Sequence, residues 1–319
     1  MDNNELDVQT FFARITANLE KVIVGKKKTL ELVVIGLLCQ GHLLIEDVPG
    51  VGKTILAKSL AISLGSEFHR IQFTPDMLPS DITGVSFYNQ ASKKIEFRPG
   101  PIMAEIILAD EINRATPKTQ SALLEAMEER QVTVDGITHP LPKTFIVIGT
   151  QNPIEYEGTF PLPEAQLDRF LMRLSMGYPS QADERLLLNQ LRREHPINFL
   201  QPIDDDTPLA DLQRQVWEIH VDDSLHDYIV RLANATRSNS ELSLGASPRA
   251  SLALFRASQA FAAIKGRDHV IPDDIQHLAP SVLTHRLVLS PESELRGRST
   301  QAVLQEVLTQ VPLDFGSVG

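Results

Sequence analysis

From Leu6 to about Gln40 the apolar residues recur at the spacing of a helix, interrupted at "IVGKKK", where Val24-Gly25 marks a turn between two helices. The pattern then changes. "HLLIE" (42–46), "EFHRIQF" (67–73), "AEIILAD" (104–110), "KTFIVIGT" (143–150) and "FLMRLSM" (170–176) are short apolar or β-rich runs separated by helical segments. That alternation predicts βαβ units and a parallel sheet buried on both faces. Two further stretches, 85–97 and 131–139, read as hairpins, the second turning tightly at Asp135-Gly136. After "YPSQADE" (178–184) no strand pattern returns, and Asp, Ser and Pro start signals introduce helical periodicity instead. We therefore expect an α/β domain over 1–178 and a smaller helical domain over 179–319, with "PIDDDTPLA" (202–210) as a loop inside it.

Composition narrows the function. With 319 residues the chain is long enough for two cores, and 42% hydrophobic and 22% charged residues describe an ordinary globular protein. A net charge of -11 argues against gripping nucleic acid as the main task, since phosphate binding draws on an excess of Lys and Arg. The lone Cys39 excludes an internal disulfide, fits a reducing compartment, and after Leu37-Leu38 reads as a buried thiol. The acidic start "MDNNELDVQT" has no apolar core of a secretory signal, and no run approaches the roughly 18 apolar residues of a membrane span. The expected location is the cytoplasm.

The candidate chemistry lies at the predicted strand ends. "PGVGKT" (49–54) stands between the strand "LLIE" and the helical "ILAKSLAISL". It supplies what a triphosphate needs: glycines for close wrapping, a helix N-terminus, the Lys53 charge and the Thr54 hydroxyl for Mg²⁺. Asp47, however, stands where the phosphate-loop pattern has its first glycine. In "IILADE" the strand carries Asp110 and Glu111 to the sheet's carboxyl edge, Asp110 to hold Mg²⁺ through water and Glu111 to act as general base. Asn152 ends the next strand, where its amide suits the γ-phosphate or the lytic water. Arg169 in "LDRF" is either an anion-seeking charge or one half of an ion pair with Asp168 or Glu164. Ser247 and Pro248 open a helix that Gly266 stops, which puts Arg249 in a first turn where the dipole disfavours a cation. "HVDDSLH" (220–226) gathers two His and two Asp, which read better as helix caps than as a metal site.

Taken together, "PGVGKT", "IILADE", "GTQNP", "LDRF" and "GASPRA", in this order, resemble the AAA+ ATPases. Longer phrases resemble the MoxR family within them, among them "RIQFTPDMLPSDITG", "LADEINRATPKTQSALLEAMEERQVTVDG" and "FIVIGTQNPIEYEGTFPLPEAQLDRFLM". The resemblance is dense over about 22–178 and thinner over 243–291. It implies a five-stranded parallel sheet in the order 5-1-4-3-2 followed by an all-α lid. It implies a Walker A loop of Pro49, Gly50, Val51, Gly52, Lys53, Thr54 and Ile55, and a Walker B pair Asp110 and Glu111. Asn152 is then similar to sensor 1, Arg169 to an arginine finger offered to a neighbouring subunit, and Arg249 to sensor 2, while Val24 and Gly25 flank the adenine. Such loops vary at the first glycine position, so Asp47 need only point its carboxylate away.

The implied cofactors are ATP and Mg²⁺. The implied assembly is a ring, a hexamer, acting on protein clients in chaperone-like fashion, with a von Willebrand factor A domain protein as partner. Two other readings compete: a nucleic-acid-stimulated motor, and a nucleotide-gated scaffold without turnover. The hairpin tips "NQAS" and "VDG" carry no base-stacking aromatic and no Arg or Lys, which weighs against the first. No catalytic group is missing, which weighs against the second.

Overall fold

The computed structural model describes residues 7–152, 158–190, 194–203 and 207–313. The opening helices are Asp7–Glu20 and Lys27–Leu38, and Gly25 between them takes a left-handed φ of 73°. Strand β1 (Leu43–Glu46) leads through the phosphate loop into helix Lys53–Leu64, and β2 (Phe68–Gln72) follows. The first hairpin is β3 (Gly84–Asn89) with β4 (Lys94–Pro99). Then come β5 (Ile106–Asp110), helix Pro117–Glu129, and the second hairpin, β6 (Gln131–Val134) with β7 (Ile137–Pro140). Its turn is the tight one expected, with Asp135 and Gly136 both at positive φ (50° and 79°). Strands β8 (Ile146–Gln151) and β9 (Met172–Leu174) complete the sheet.

The five sheet strands lie in the order β2-β5-β8-β1-β9, all parallel. Numbered by their appearance within the sheet and read from the β9 edge, this is the expected 5-1-4-3-2. Ile106, Ile107 and Leu108 of β5 and Ile146, Val147 and Ile148 of β8 are buried on both faces, each contributing about 1.5–3 kcal/mol of transfer free energy. In β5 and β8 the polar residues come toward the carboxyl ends. The register brings Gln72 beside Asp110, and Glu46 beside Gln151, along one carboxyl edge.

Beyond residue 179 the longest described helix is Pro248–Ile264, packed against Asp223–Arg237, Pro272–Leu283 and the N-terminal helix Asp7–Glu20. The larger hydrophobic core runs without a break from that N-terminal helix into these helices. One detail departs from the strand-free expectation: β10 (Leu242–Leu244) and β11 (Val288–Leu289) form a two-stranded antiparallel ladder. Runs of two and three residues are too short to show a period of two. Of the expected loop at 202–210, residues 204–206 lie outside the described ones, and Leu209 already begins helix Leu209–Trp217. Among the described residues, no helix is long and apolar enough to cross a membrane.

Candidate nucleotide site

The phosphate loop is shaped by two left-handed glycines, Gly50 (φ 83°), around which space is open, and Gly52 (φ 96°), which faces Met176 Cε at 3.9 Å from where a Cβ would stand. Gly52 caps helix Lys53–Leu64 without any side-chain hydrogen bond, so the positive end of that helix faces the loop bare. Lys53 Nζ donates to the carbonyl oxygens of Asp47 (2.5 Å) and Gln151 (3.3 Å). Burial holds its ammonium below the ordinary lysine value, against the opposing pull of Asp47, Asp110, Glu111 and Glu46. An anion in the cleft stabilises that charge.

Asp47 turns its buried carboxylate out of the loop. It accepts the N–H of Met176, the N–H of Gly177 (3.1 Å) and the hydroxyl of Ser175 (3.1 Å). The residue in the glycine position therefore anchors the phosphate loop to the chain after β9. Lys26 Nζ donates to the Gly177 and Tyr178 carbonyls, and Thr29 to that of Ser175, so the Val24-Gly25 turn rests on the same segment. Val24 and Gly25 do not line the phosphate cleft itself, and Val51 instead packs toward the core.

A cleft of about 350 Å³ is lined by Pro49, Gly50, Gly52, Lys53, Thr54 and Ile55 on one side and by Asp110, Glu111 and Asn152 on the other. Thr150 and Arg70, to which the sequence motifs assign no role, line it too. The Thr150 hydroxyl donates to Asp110 Oδ1 (2.6 Å) and accepts the Glu111 N–H (2.9 Å). That bond supports Glu111 at φ 57°, a left-handed conformation costing a non-glycine residue about 1–3 kcal/mol. Glu111 Oε2 accepts from Gln72 Nε2 (2.8 Å) and pairs with Arg114 (3.1 Å). The cleft thus joins an anion cradle to two carboxylates held in fixed and different surroundings.

The two arginines lie elsewhere. A second cavity of about 280 Å³, which shares no residue with the first, is lined by Glu128, Arg130, Arg169, Arg249, Arg256 and Arg286 among others. Arg169 Nε stands 3.2 Å from Glu128 Oε2, an ion pair without hydrogen-bond alignment that leaves the buried Nε–H without an acceptor among the described residues. Arg249 pairs with the other oxygen, Glu128 Oε1. The ion-pair partner of Arg169 is thus Glu128 rather than Asp168 or Glu164, and Arg249 shares that partner. Glu128 is also the anion that offsets Arg249 in its helical first turn.

Asp168 has its own task. Its Oδ2 accepts from Ser247, the N-cap of the helix that carries Arg249, and its Oδ1 accepts from Arg286 Nε (2.7 Å). Arg286 is 3% exposed in its side chain and also donates to the Phe170 and Leu171 carbonyls. The loop bearing Arg169 is in this way bolted to the helical region. Cys39 also lines this cavity, half-buried as a residue, but its desolvated thiol is pushed up to about 12 and stays protonated. In the 220–226 stretch Asp222 caps helix Asp223–Arg237 by accepting the Ser224 N–H (2.9 Å), the capping role expected of it.

Comparison with known proteins agrees with this geometry. Residues 42–172 match the family described as "ATPase family associated with various cellular activities (AAA)", and 234–307 match the AAA lid domain. The chain is 52% identical over 305 residues to the uncharacterised protein YeaC of Bacillus subtilis, covering 96% of this chain and 95% of that one. It is 43% identical over 309 residues to Chaperone MoxR1 of Mycobacterium tuberculosis, covering 94% and 81%. A crystal structure of a candidate ATPase from Cytophaga hutchinsonii superposes with a TM-score of 0.90 at 38% identity, covering 97% and 96%. With the AAA match over 42–172, the lid match over 234–307 and a MoxR relative 43% identical along 94% of the chain, the chain belongs to the MoxR family of AAA+ ATPases.

Proposed function

We propose that this protein hydrolyses ATP with Mg²⁺ in a ring of its own copies and uses the turnover to remodel protein clients. One observation carries the ATPase reading: Lys53, at the bare N-terminus of its helix, faces the Asp110–Thr150–Glu111 unit across a single cleft. The residues fit the nucleotide, since the loop offers N–H groups from Gly50 onward and a lysine that needs an anion. They fit the metal as well, through the Thr54 hydroxyl and, by way of water, the Asp110 carboxylate. Bound Mg²⁺ would neutralise charge developing on the transferred phosphoryl group. Glu111 takes a proton from the attacking water at its carboxylate, and Asn152 orients that water or the terminal phosphate.

The second cavity supports the ring reading. Arg169 carries a donor with no acceptor among the described residues, in a cavity separate from its own chain's cleft, so we assign it to the cleft of a neighbouring copy. Arg249, held by the same Glu128, goes with it. We place the mechanical division near Pro179, with 1–178 holding nucleotide and 179–319 acting as the lid. For the client we favour protein, with a von Willebrand factor A domain protein as an adaptor, in the cytoplasm. Net charge of -11 supports this, as do Tyr88, Ile95 and Ile137, exposed at 60, 75 and 62% on the two hairpins. The hairpins are joined by stacking of Phe97 on His139. Purified protein should release phosphate from ATP only with Mg²⁺, at a rate that single-stranded DNA or RNA leaves unchanged. Metal-independent release would refute the metal assignment, and several-fold stimulation by single strands would favour the motor.

A further inference from the structure

The acidic strand end is engaged by a cation that does not come from the phosphate loop. Arg70 stands two residues before Gln72 on β2, so both side chains fall on one face of the strand. Its Nε and Nη2 both donate to a single oxygen, Asp110 Oδ2, at 3.0 and 2.6 Å. The other oxygen, Oδ1, accepts the Thr150 hydroxyl. Nη2 also donates to Gln72 Oε1 (2.5 Å), and the Gln72 amide continues to Glu111. A carboxylate offers about four acceptor positions, and three donors already use those of Asp110. Waters around a divalent ion would donate to these same oxygens, and the guanidinium adds like charge beside the ion.

We infer that Arg70 competes with the divalent metal for Asp110 and so sets the metal concentration at which nucleotide is held. The inference rests on the nucleotide reading above. Arg70 lines the same cleft as Lys53 and Thr54, so on leaving Asp110 it stays beside the phosphates. It is a positioning residue for the metal, half-exposed at the rim of the cleft.

The test is equilibrium binding of a fluorescent ADP to EDTA-treated protein titrated with MgCl₂, for the unaltered chain, Arg70→Met and Arg70→Lys. ADP binding needs no turnover. The competition predicts a magnesium midpoint about three- to fivefold lower for Arg70→Met, the scale of a partly exposed ion pair, with Arg70→Lys in between because a single ammonium cannot fork. Matching melting temperatures in EDTA separate this from misfolding. Coincident midpoints, or a higher midpoint for Arg70→Met, overturn the competition alone. Absence of ADP binding to every protein overturns the nucleotide reading beneath it.

Discussion

Arg169 and Arg249 hold opposite oxygens of one carboxylate, that of Glu128. Arg169 lies in the loop before β9 and Arg249 in the first turn of a lid helix, so the two charges form one unit across the join between sheet and lid. Asp168 holds that join from the other side through Ser247 and Arg286.

Asp168→Asn should therefore destabilise the fold. Arg286 is buried and charged, and removing the carboxylate it pairs with leaves a cation in low dielectric, a loss of about 3–5 kcal/mol. Urea unfolding of the nucleotide-free protein measures it. A loss below about 1 kcal/mol would reduce the pair to a surface contact.

Thr150→Val removes the hydroxyl that ties Asp110 to the Glu111 backbone while keeping volume. Turnover should fall about 10- to 100-fold with nucleotide affinity nearly kept, and Thr150→Ser should restore it. Glu111→Gln should bind ATP and fail to hydrolyse it, whereas Lys53→Ala should lose binding. Hydrolysis by Glu111→Gln at the unaltered rate would remove the base assignment.

Much of this was legible in the sequence, and the reasons are physical. Buried strands write their apolar runs plainly, and Lys53, Asp110, Glu111 and Asn152 follow from where those runs stop. Thr150 sat inside a quoted motif, but a hydroxyl on a buried strand carries no periodic signal of its partner. Arg70 and Gln72 alternate on an edge strand as any solvated face does. Glu128 is one acid among several in "EAMEER", and only the tertiary fold selects it as the shared partner. For Arg249, chain order shows the helix that carries it but not the carboxylate it meets, Glu128.

His42 supplies a pH test. It is buried, its Nδ1 accepts the Val147 N–H, and its Nε2–H donates to the Met127 carbonyl, each at 3.0 Å. Burial, its largest cause, lowers its pKa to about 4 from an ordinary 6.5. The neutral folded form is thus favoured, so its contribution is complete above about pH 6.5 and is lost as pH falls toward 4, on the order of 3 kcal/mol. His285, buried beside Arg286 and also lowered, acts in the same direction. Stability measured from pH 7 to 4 should fall less steeply in His42→Gln. An unchanged slope would show that His42 does not titrate with unfolding.

The proposed arrangement, in which one copy's Arg169 and Arg249 complete another copy's cleft, is tested by mixed rings of variant subunits. Arg169→Ala and Arg249→Ala should each bind nucleotide and lose most turnover, an arginine supplied in trans being worth roughly 10³–10⁵ in rate. The quantity to measure is the ATPase rate of each when mixed with Lys53→Ala, which has no working cleft but carries both arginines. Recovery of activity in both mixtures is the predicted result. Recovery in neither, within stable mixed rings, would return both arginines to their own chain and contradict the account.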